Sequence, residues 1–520
     1  MPARYSSFPR RTWPVLLSVG VPLVLTAFLW ITSSYDLSVA QGLAAFVLCW
    51  IPWASYQQWS RGGRQDLPLF ALIAAMYWLT YAVPLFWSNH WIGLVTGIRI
   101  LSEQAISESL YLALIGVLSL WAGMKLAGNW ERAPSIRLDI PKDPWRWFYL
   151  RSVLVLSVLI RILVPITALG NEWRQIIVST EIIIPSVTFV ILLRSCLRGQ
   201  AMRADKFLLA GYFLVALVVG LSSGWLGSFV GLGLLCIAAY VCEKHKFPVT
   251  AILIVLPLVL FLQPGKKEFR ERYWRNGVTD RYSESYTERI GFWIEASSRA
   301  WGKALTDPSG EGFKILSSQT LSRLSLLQQT TNVMEMTPNQ VPYQDGRLYS
   351  YLIVTFVPRF IWPDKPSAND ANRWYQVSYH LTLPSDLNSV SMAVGTVTES
   401  YINFGWFGPL IIMFCLGLLL GLFGKVLLNL KSGLLLSSIG VALLPGLISI
   451  ESQMSVYIAG LVQQTLFCIV VLAPILRSSP KQTLRYGPEI ASPSFLNNIR
   501  ATAPTREEFD GIRREHGIPR

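Results

Sequence analysis

Charge is scarce in this chain. Lys, Arg, Asp and Glu make up 15% of its 520 residues, and histidine occurs only four times. Soluble domains carry about 25% charged residues. Nucleotide and metal signatures are also missing. There is no Walker A motif, no HExxH and no GxSxG. No Asp-x-Asp pair stands in a loop to hold a metal and a nucleotide diphosphate. These absences argue against a cytosolic nucleotide-sugar enzyme and against an ATP-driven pump, and no metal or cofactor is expected. Energy must come from the substrate or from a gradient. The six cysteines (Cys49, Cys196, Cys236, Cys242, Cys415 and Cys468) form no CxxC or Cys/His spacing, which excludes a disulfide framework and a zinc site. No internal repeat or low-complexity tract is present. The halves around the sixth apolar stretch differ in loop lengths, which weakens an inverted-repeat transporter reading.

Apolar length is what the chain has. The hydrophobic share is 52%, with 20 Trp, 20 Tyr and 24 Phe. Disordered chains are poor in aromatics and rich in charge, so disorder is excluded for most of the length. A hydrocarbon core of about 30 Å needs about 20 apolar residues as helix. Twelve stretches fit, beginning near Trp13, Leu37, Leu67, Leu110, Tyr149, Ile176, Phe207, Trp225, Val249, Phe407, Gly433 and Val456. Some are joined by very short turns, such as Ser222-Ser223-Gly224.

The net charge of +14 first suggests nucleic acid. Placement decides otherwise, because the basic residues sit between apolar runs, as in a protein held in a membrane by its loops. Arg4, Arg10 and Arg11 precede the first span, and every second loop repeats the signal. Arg61, Arg64, Lys125, Arg132, Arg137, Lys142, Arg146, Arg194, Arg198, Arg203, Lys206, Lys244, Lys246, Lys425 and Lys431 complete 18 basic residues on one side. Only Arg99 and Arg174 lie in the short loops of the other. This parity places both termini in the cytoplasm. The first segment has a basic start and a Ser38-Val39-Ala40 end. A second span follows at once, so an uncleaved first helix is expected rather than a signal peptide.

The expected fold is all-α: a polytopic membrane protein with about twelve transmembrane helices and a large outer loop containing short helices. Residues 1–263 hold spans one to nine, 264–404 the outer loop, 405–476 spans ten to twelve, and 477–520 a flexible cytoplasmic tail. The loop carries 15 Lys/Arg and 14 Asp/Glu; loops this long are exempt from the positive-inside rule. Within it, Leu348–Trp362 is apolar but interrupted by Pro358 and Arg359, and reads as an interfacial or re-entrant segment. Ile315–Leu327, with Leu321, Leu324 and Leu327 at helical spacing, predicts an amphipathic interfacial helix.

Four groups can carry chemistry. Lys266, Lys267, Arg270, Arg272, Arg275, Arg281 and Arg289 follow span nine, interleaved with Glu268, Glu271, Glu284 and Glu288. They form either a solvated helix with Glu268–Arg272 and Glu271–Arg275 pairs or a phosphate clamp, since the Arg fork fits phosphate oxygens. Arg359, Lys365 and Arg373 extend the diphosphate-binding set; Arg359 and Lys365 lie in VPRFIWPDKP, where Phe360 and Trp362 suit the headgroup level. Glu399, in GTVTESYINFG, stands at the head of span ten. It is either a general base or a helix-terminal acid, with Asp370 and His380 as weaker catalytic candidates. Arg161 and Glu181 lie at similar depth in spans five and six and are expected to pair.

VPRFIWPDKP, followed about 30 residues later by GTVTESYINFGWFG, resembles the bacterial O-antigen and exopolysaccharide repeat-unit polymerases of the Wzy type. The twelve-span arrangement with its largest outer loop between spans nine and ten is similar to the related O-antigen ligases. The resemblance implies an inner-membrane glycosyltransferase. It would move a growing glycan from its polyprenyl diphosphate carrier to a new lipid-linked repeat unit, without metal or nucleotide. Outer-face Arg residues and an acid or His near the bilayer surface are implied to do the work. Expected partners are the lipid-linked donor and acceptor and membrane lipids, with room for a chain-length regulator and no nucleic acid. The alternatives are a ligase, a lipid-linked oligosaccharide flippase or transporter, and a non-catalytic assembly partner.

Overall fold

An apolar run can satisfy its own backbone polar groups as helix, at 1.5 Å per residue. The computed structural model describes residues 15–64, 66–129, 137–140, 143–163, 171–224, 226–275, 284–357, 362, 364–387 and 392–477. These are mostly helical. The first half comprises α1 (Val15–Ile31), α2 (Val39–Arg61), α3 (Leu69–Tyr77), α4 (Val83–Trp87), α5 (Glu103–Gly128), α6 (Pro144–Leu163), α7 (Asn171–Leu197), α8 (Arg203–Ser222), α9 (Leu226–Lys244) and α10 (Val249–Leu262). A π-helical turn, Trp78–Ala82, joins α3 to α4, and a two-stranded hairpin (Trp91–Leu94, Gly97–Ile100) follows. Short helices come next: α11 (Lys266–Arg270), α12 (Tyr286–Thr306), α13 (Glu311–Ser322), α14 (Leu326–Met336), α15 (Ser350–Phe356), α16 (Asp370–Ser378) and α17 (Thr396–Phe404). The chain closes with α18 (Phe407–Leu427), α19 (Gly433–Leu447) and α20 (Met454–Arg477).

A helix stands at each of the twelve apolar stretches. Among the described residues, seven segments are long and apolar enough to cross a membrane: α2, Leu69–Trp87, α5, α8, α18, Leu430–Leu447 and the Met454–Ile475 part of α20. The bent pair α10 with Lys266–Tyr273 makes an eighth if counted as one span. The molecule is therefore a helical, membrane-associated type of protein.

Helices α5 and α18 pack backbone against backbone. A Cβ added at Gly417 would lie 2.3 Å from the Leu120 carbonyl oxygen, and one at Gly123 would lie 2.1 Å from that of Phe414. Small residues let the two backbones touch, the packing used where no water drives helices together.

The connections sort to two ends. Leu67 N donates to Leu428 O (3.3 Å), Leu138 N to Ser432 O (2.8 Å), and the Arg64 guanidinium to His245 O. These are the loops with the basic excess. At the other end Ser34 N donates to Phe86 O (3.1 Å), Val95 N to His380 O (2.8 Å) and Thr396 N to Ile450 O (3.3 Å). Arg194, which the sequence places in a basic loop, is in fact interior. It donates to Glu243 Oε1 (2.7 Å) and to the hydroxyls of Ser437 (2.7 Å) and Ser438 (3.1 Å), tying α7 to α9 and α19.

Two local expectations change, at Ile315–Leu327 and at Glu268–Arg272. The helix expected over Ile315–Leu327 is two helices. Helix α13 stops at Ser322, and the Ser325 hydroxyl accepts the Gln328 amide (3.2 Å) to start α14. Leu348–Trp362 contains a 3-10 turn and the seven-residue α15, too short to cross a bilayer; Pro358–Ile361 lie outside the described residues. The Glu268–Arg272 pair does not form. Glu268 meets Arg299 of α12 (2.9 Å), and Arg272 meets Glu284 (2.5 Å). The cause is a π-helical turn over Glu271–Arg275, which moves side chains off the i,i+4 register. The side chains of Arg161, Glu181 and Arg275 lie outside the described residues, as does the segment 478–520.

Candidate functional site

Helix α17 starts at Gly395, whose φ of +82° suits glycine, and ends at Gly405, φ +58°. A Cβ on Gly395 would lie 3.2 Å from the Ile450 carbonyl. The glycine thus lets α17 begin against the loop between α19 and α20. Residues 396–403 are all buried, and their polar atoms are largely paired. Thr398 shares hydrogen bonds with Thr330 (2.7 Å) and Tyr81 (3.2 Å), and Tyr81 with Thr330 (3.1 Å). Thr396 meets the Tyr77 hydroxyl at 3.3 Å. The Asn403 amide donates to the Glu399 carbonyl (2.8 Å), and its oxygen accepts from Leu348 N (3.3 Å). Sequence reading missed this hydroxyl network. Its signal was the run Thr396, Thr398, Ser400 in an otherwise apolar helix.

Glu399 is the acid inside this shell, with no exposed surface. Its Oε2 accepts the Met454 amide at 2.6 Å, while Oε1 has no hydrogen-bond partner. Burial pushes the carboxyl up to about 8, against a smaller opposing effect of the Met454 amide. Tyr349, whose buried hydroxyl is also unpartnered, is raised by burial and then by the Glu399 charge. Gln453, next to Met454, is 2% exposed and has both amide atoms unpartnered. Buried polar groups are nearly always hydrogen-bonded. Unpartnered polar atoms on three side chains mark a place built to receive polar atoms.

The start of α20 is where other candidates meet Glu399. Ser455 Oγ donates to Ala368 O (2.8 Å), which brings the Asp370 segment beside Met454. Asp370 itself accepts from Ser367 N (2.7 Å) and Arg373 (3.1 Å), opening α16. Glu451, in the α19–α20 loop, Arg270 and Arg323 all act electrostatically on Lys266. Arg323, the C-cap of α13, was not singled out from sequence; an isolated Arg among apolar residues gave no signal.

Other candidates lie elsewhere. Arg272 is held by Glu284 and stacks over Phe292 at 4.6 Å, and Arg289 lies over the Tyr273 ring at 5.7 Å. Lys365 donates to the carbonyls of Val354 (3.3 Å), Thr355 (3.2 Å) and Val357 (2.6 Å), closing α15. His380 is exposed, with φ +56°, just beyond the end of α16. Arg281 and Arg359 lie outside the described residues. No group of three or more His, Cys, Asp or Glu able to hold a metal occurs among the described residues.

Fold and site together define a helical protein with several candidate membrane spans, carrying a buried carboxylate with one unpartnered oxygen. Residues 100–441 match the family model described as Domain of unknown function (DUF8712), more than half of the chain, and the protein belongs to that family. No curated protein and no solved structure matches it.

Proposed function

We propose that this protein is a twelve-span inner-membrane glycosyltransferase that joins polyprenyl-diphosphate-linked oligosaccharide units on the outer face of the membrane. The observation that carries the reading is Glu399. It is a fully buried carboxyl with one unpartnered oxygen. An acceptor sugar hydroxyl attacks the anomeric carbon of the donor and passes its proton to Glu399. The bond from that carbon to the diphosphate breaks, and the diphosphate leaves with the bonding pair, stabilised by cations. A base whose pKa stands near the operating pH suits this role, because proton affinity and the ionised fraction are then both appreciable.

The test is deletion of the gene followed by analysis of the surface glycan. Single repeat units identify a polymerase. Lipid-linked polymer that fails to reach its acceptor identifies a ligase. An unchanged glycan sinks both. Glu399→Gln at normal expression should abolish polymer, since losing a general base costs roughly 10²- to 10⁴-fold in rate. Wild-type polymer in that variant would reduce Glu399 to a structural residue.

A further inference from the structure

We infer that the gap between α8, α10 and α12 is a binding site for a hydrocarbon chain, the acyl chain of a bilayer lipid. The site stands whether or not the glycosyltransferase reading does.

The chain bends by 61° between α10 and the helical segment Lys266–Tyr273, and α12 straps the bend. Trp293 Nε1 donates to Leu262 O (2.8 Å), Ser297 Oγ to the same oxygen (3.4 Å) and Trp301 Nε1 to Phe261 O (3.0 Å). These bonds satisfy carbonyls that the end of α10 leaves without intrahelical partners. Gly265 permits the close approach: a Cβ there would lie 2.4 Å from Ser297 Oγ and 2.7 Å from Ser297 N. Beside this strap a cavity of about 140 Å³ remains. Its walls include Leu221 of α8, Leu258 and Leu262 of α10, and Ile290, Trp293 and Ile294 of α12. The three α12 residues stand at i, i+3 and i+4, so one face of that helix supplies them.

Every wall is apolar, and the one polar side-chain atom among them, Trp293 Nε1, is spent on Leu262 O. A buried water needs about two to four polar partners, so this cavity does not hold water. An apolar cavity of about 150 Å³ takes in a hydrocarbon the size of benzene. The space therefore fits a few carbons of a longer chain rather than a whole ligand.

Depth and continuity identify the occupant. Helix α10 starts three residues after Lys246, in a loop at the basic end of the molecule, where the Arg64 guanidinium donates to His245 O. Its 14 residues rise about 21 Å at 1.5 Å each. A hydrocarbon core is about 30 Å thick, so Leu262 and the cavity beside it lie at hydrocarbon depth, and tilt only places them deeper. Of the α10 residues, only Leu262 is buried, and none is charged. Leu253, Ile254, Leu256 and Leu260 are exposed. A contiguous apolar face at this depth is a surface for lipid. Leu258 belongs to both places: it is exposed along that face and it lines the cavity. Bilayer chains thus have an entrance, and they are the hydrocarbon always present at this depth.

The experiment uses the full chain in nanodiscs of phosphatidylcholine whose acyl chains carry a photoactivatable diazirine, with the adducts mapped by mass spectrometry. Leu253 and Ile254 should label from the surface. Leu262 and Trp293, 4% and 1% exposed, should label from inside the cavity. Leu221→Trp fills the space and should cut labelling of Leu262 and Trp293 about tenfold, since a close-packed interior leaves a chain no room. Leu253 and Ile254 should keep their labelling in that variant. Ile290→Phe fills the cavity from the α12 side and should act in the same direction, which serves if Leu221→Trp does not insert. Labelling of Leu253 and Ile254 without Leu262 and Trp293 overturns the site, because the cavity is then dry. Labelling of Leu262 and Trp293 that neither variant lowers overturns it too, because the chain then arrives by another route. Unlabelled polyprenyl phosphate, added as a small fraction of the lipid, tests the other source of hydrocarbon. Protection no greater than its share of the lipid supports the acyl chain. Selective protection of Leu262 and Trp293 over Leu253 and Ile254 overturns the acyl assignment in favour of an isoprenoid chain.

Discussion

Glu399 shows how far burial governs a single residue. Its carboxyl rises from an ordinary 4.5 to about 8 because burial removes water from it. Between those two values the folded chain holds a proton that the unfolded chain releases. Stability from this group is therefore fully present below about pH 4.5 and is lost as pH rises through about 8, at roughly 1.4 kcal/mol per pH unit at most. Glu399→Gln removes the titration. Relative to that variant, the wild type should lose melting temperature steadily from pH 5 to pH 9. Parallel curves would place the titrating group elsewhere. The acid itself was legible in sequence, as the sole one between Asp386 and the start of α18. Its depth was not, because the groups beside it, Tyr349 and Met454, stand about 50 residues away on either side along the chain.

Elements were legible where periodicity and composition agree, and not where two helices share a contact. All twelve apolar stretches contain helix. The break at Ser322 and the π-helical turn at Glu271–Arg275 were not visible, since each depends on a local hydrogen-bond choice rather than on apolar period. The α5–α18 contact gives a prediction at this scale. Gly417→Ala places a methyl 2.3 Å from a backbone oxygen that cannot rotate away, whereas Gly424→Ala meets nothing nearer than 3.9 Å. The first should cost about 1–3 kcal/mol and the second almost nothing, read as melting temperature in detergent. Equal effects would mean that the two helices slide apart freely.

The whole molecule has two ends, and the basic loops gather at one of them. Reporter fusions at Gly310 and at Lys431 should therefore report opposite sides of the membrane; the same side for both would break the topology. By itself the sequence determined the apolar spans, the alternation of basic loops and the presence of an acid at the head of α18. These depend on composition and local spacing, which a single chain displays directly. Only the tertiary structure decided which charges meet. It tied Arg194 to Glu243, set Glu399 against the Met454 amide, and moved Arg272 to Glu284. Side-chain partners across long loops are chosen by how helices pack, and no spacing along the chain encodes that choice.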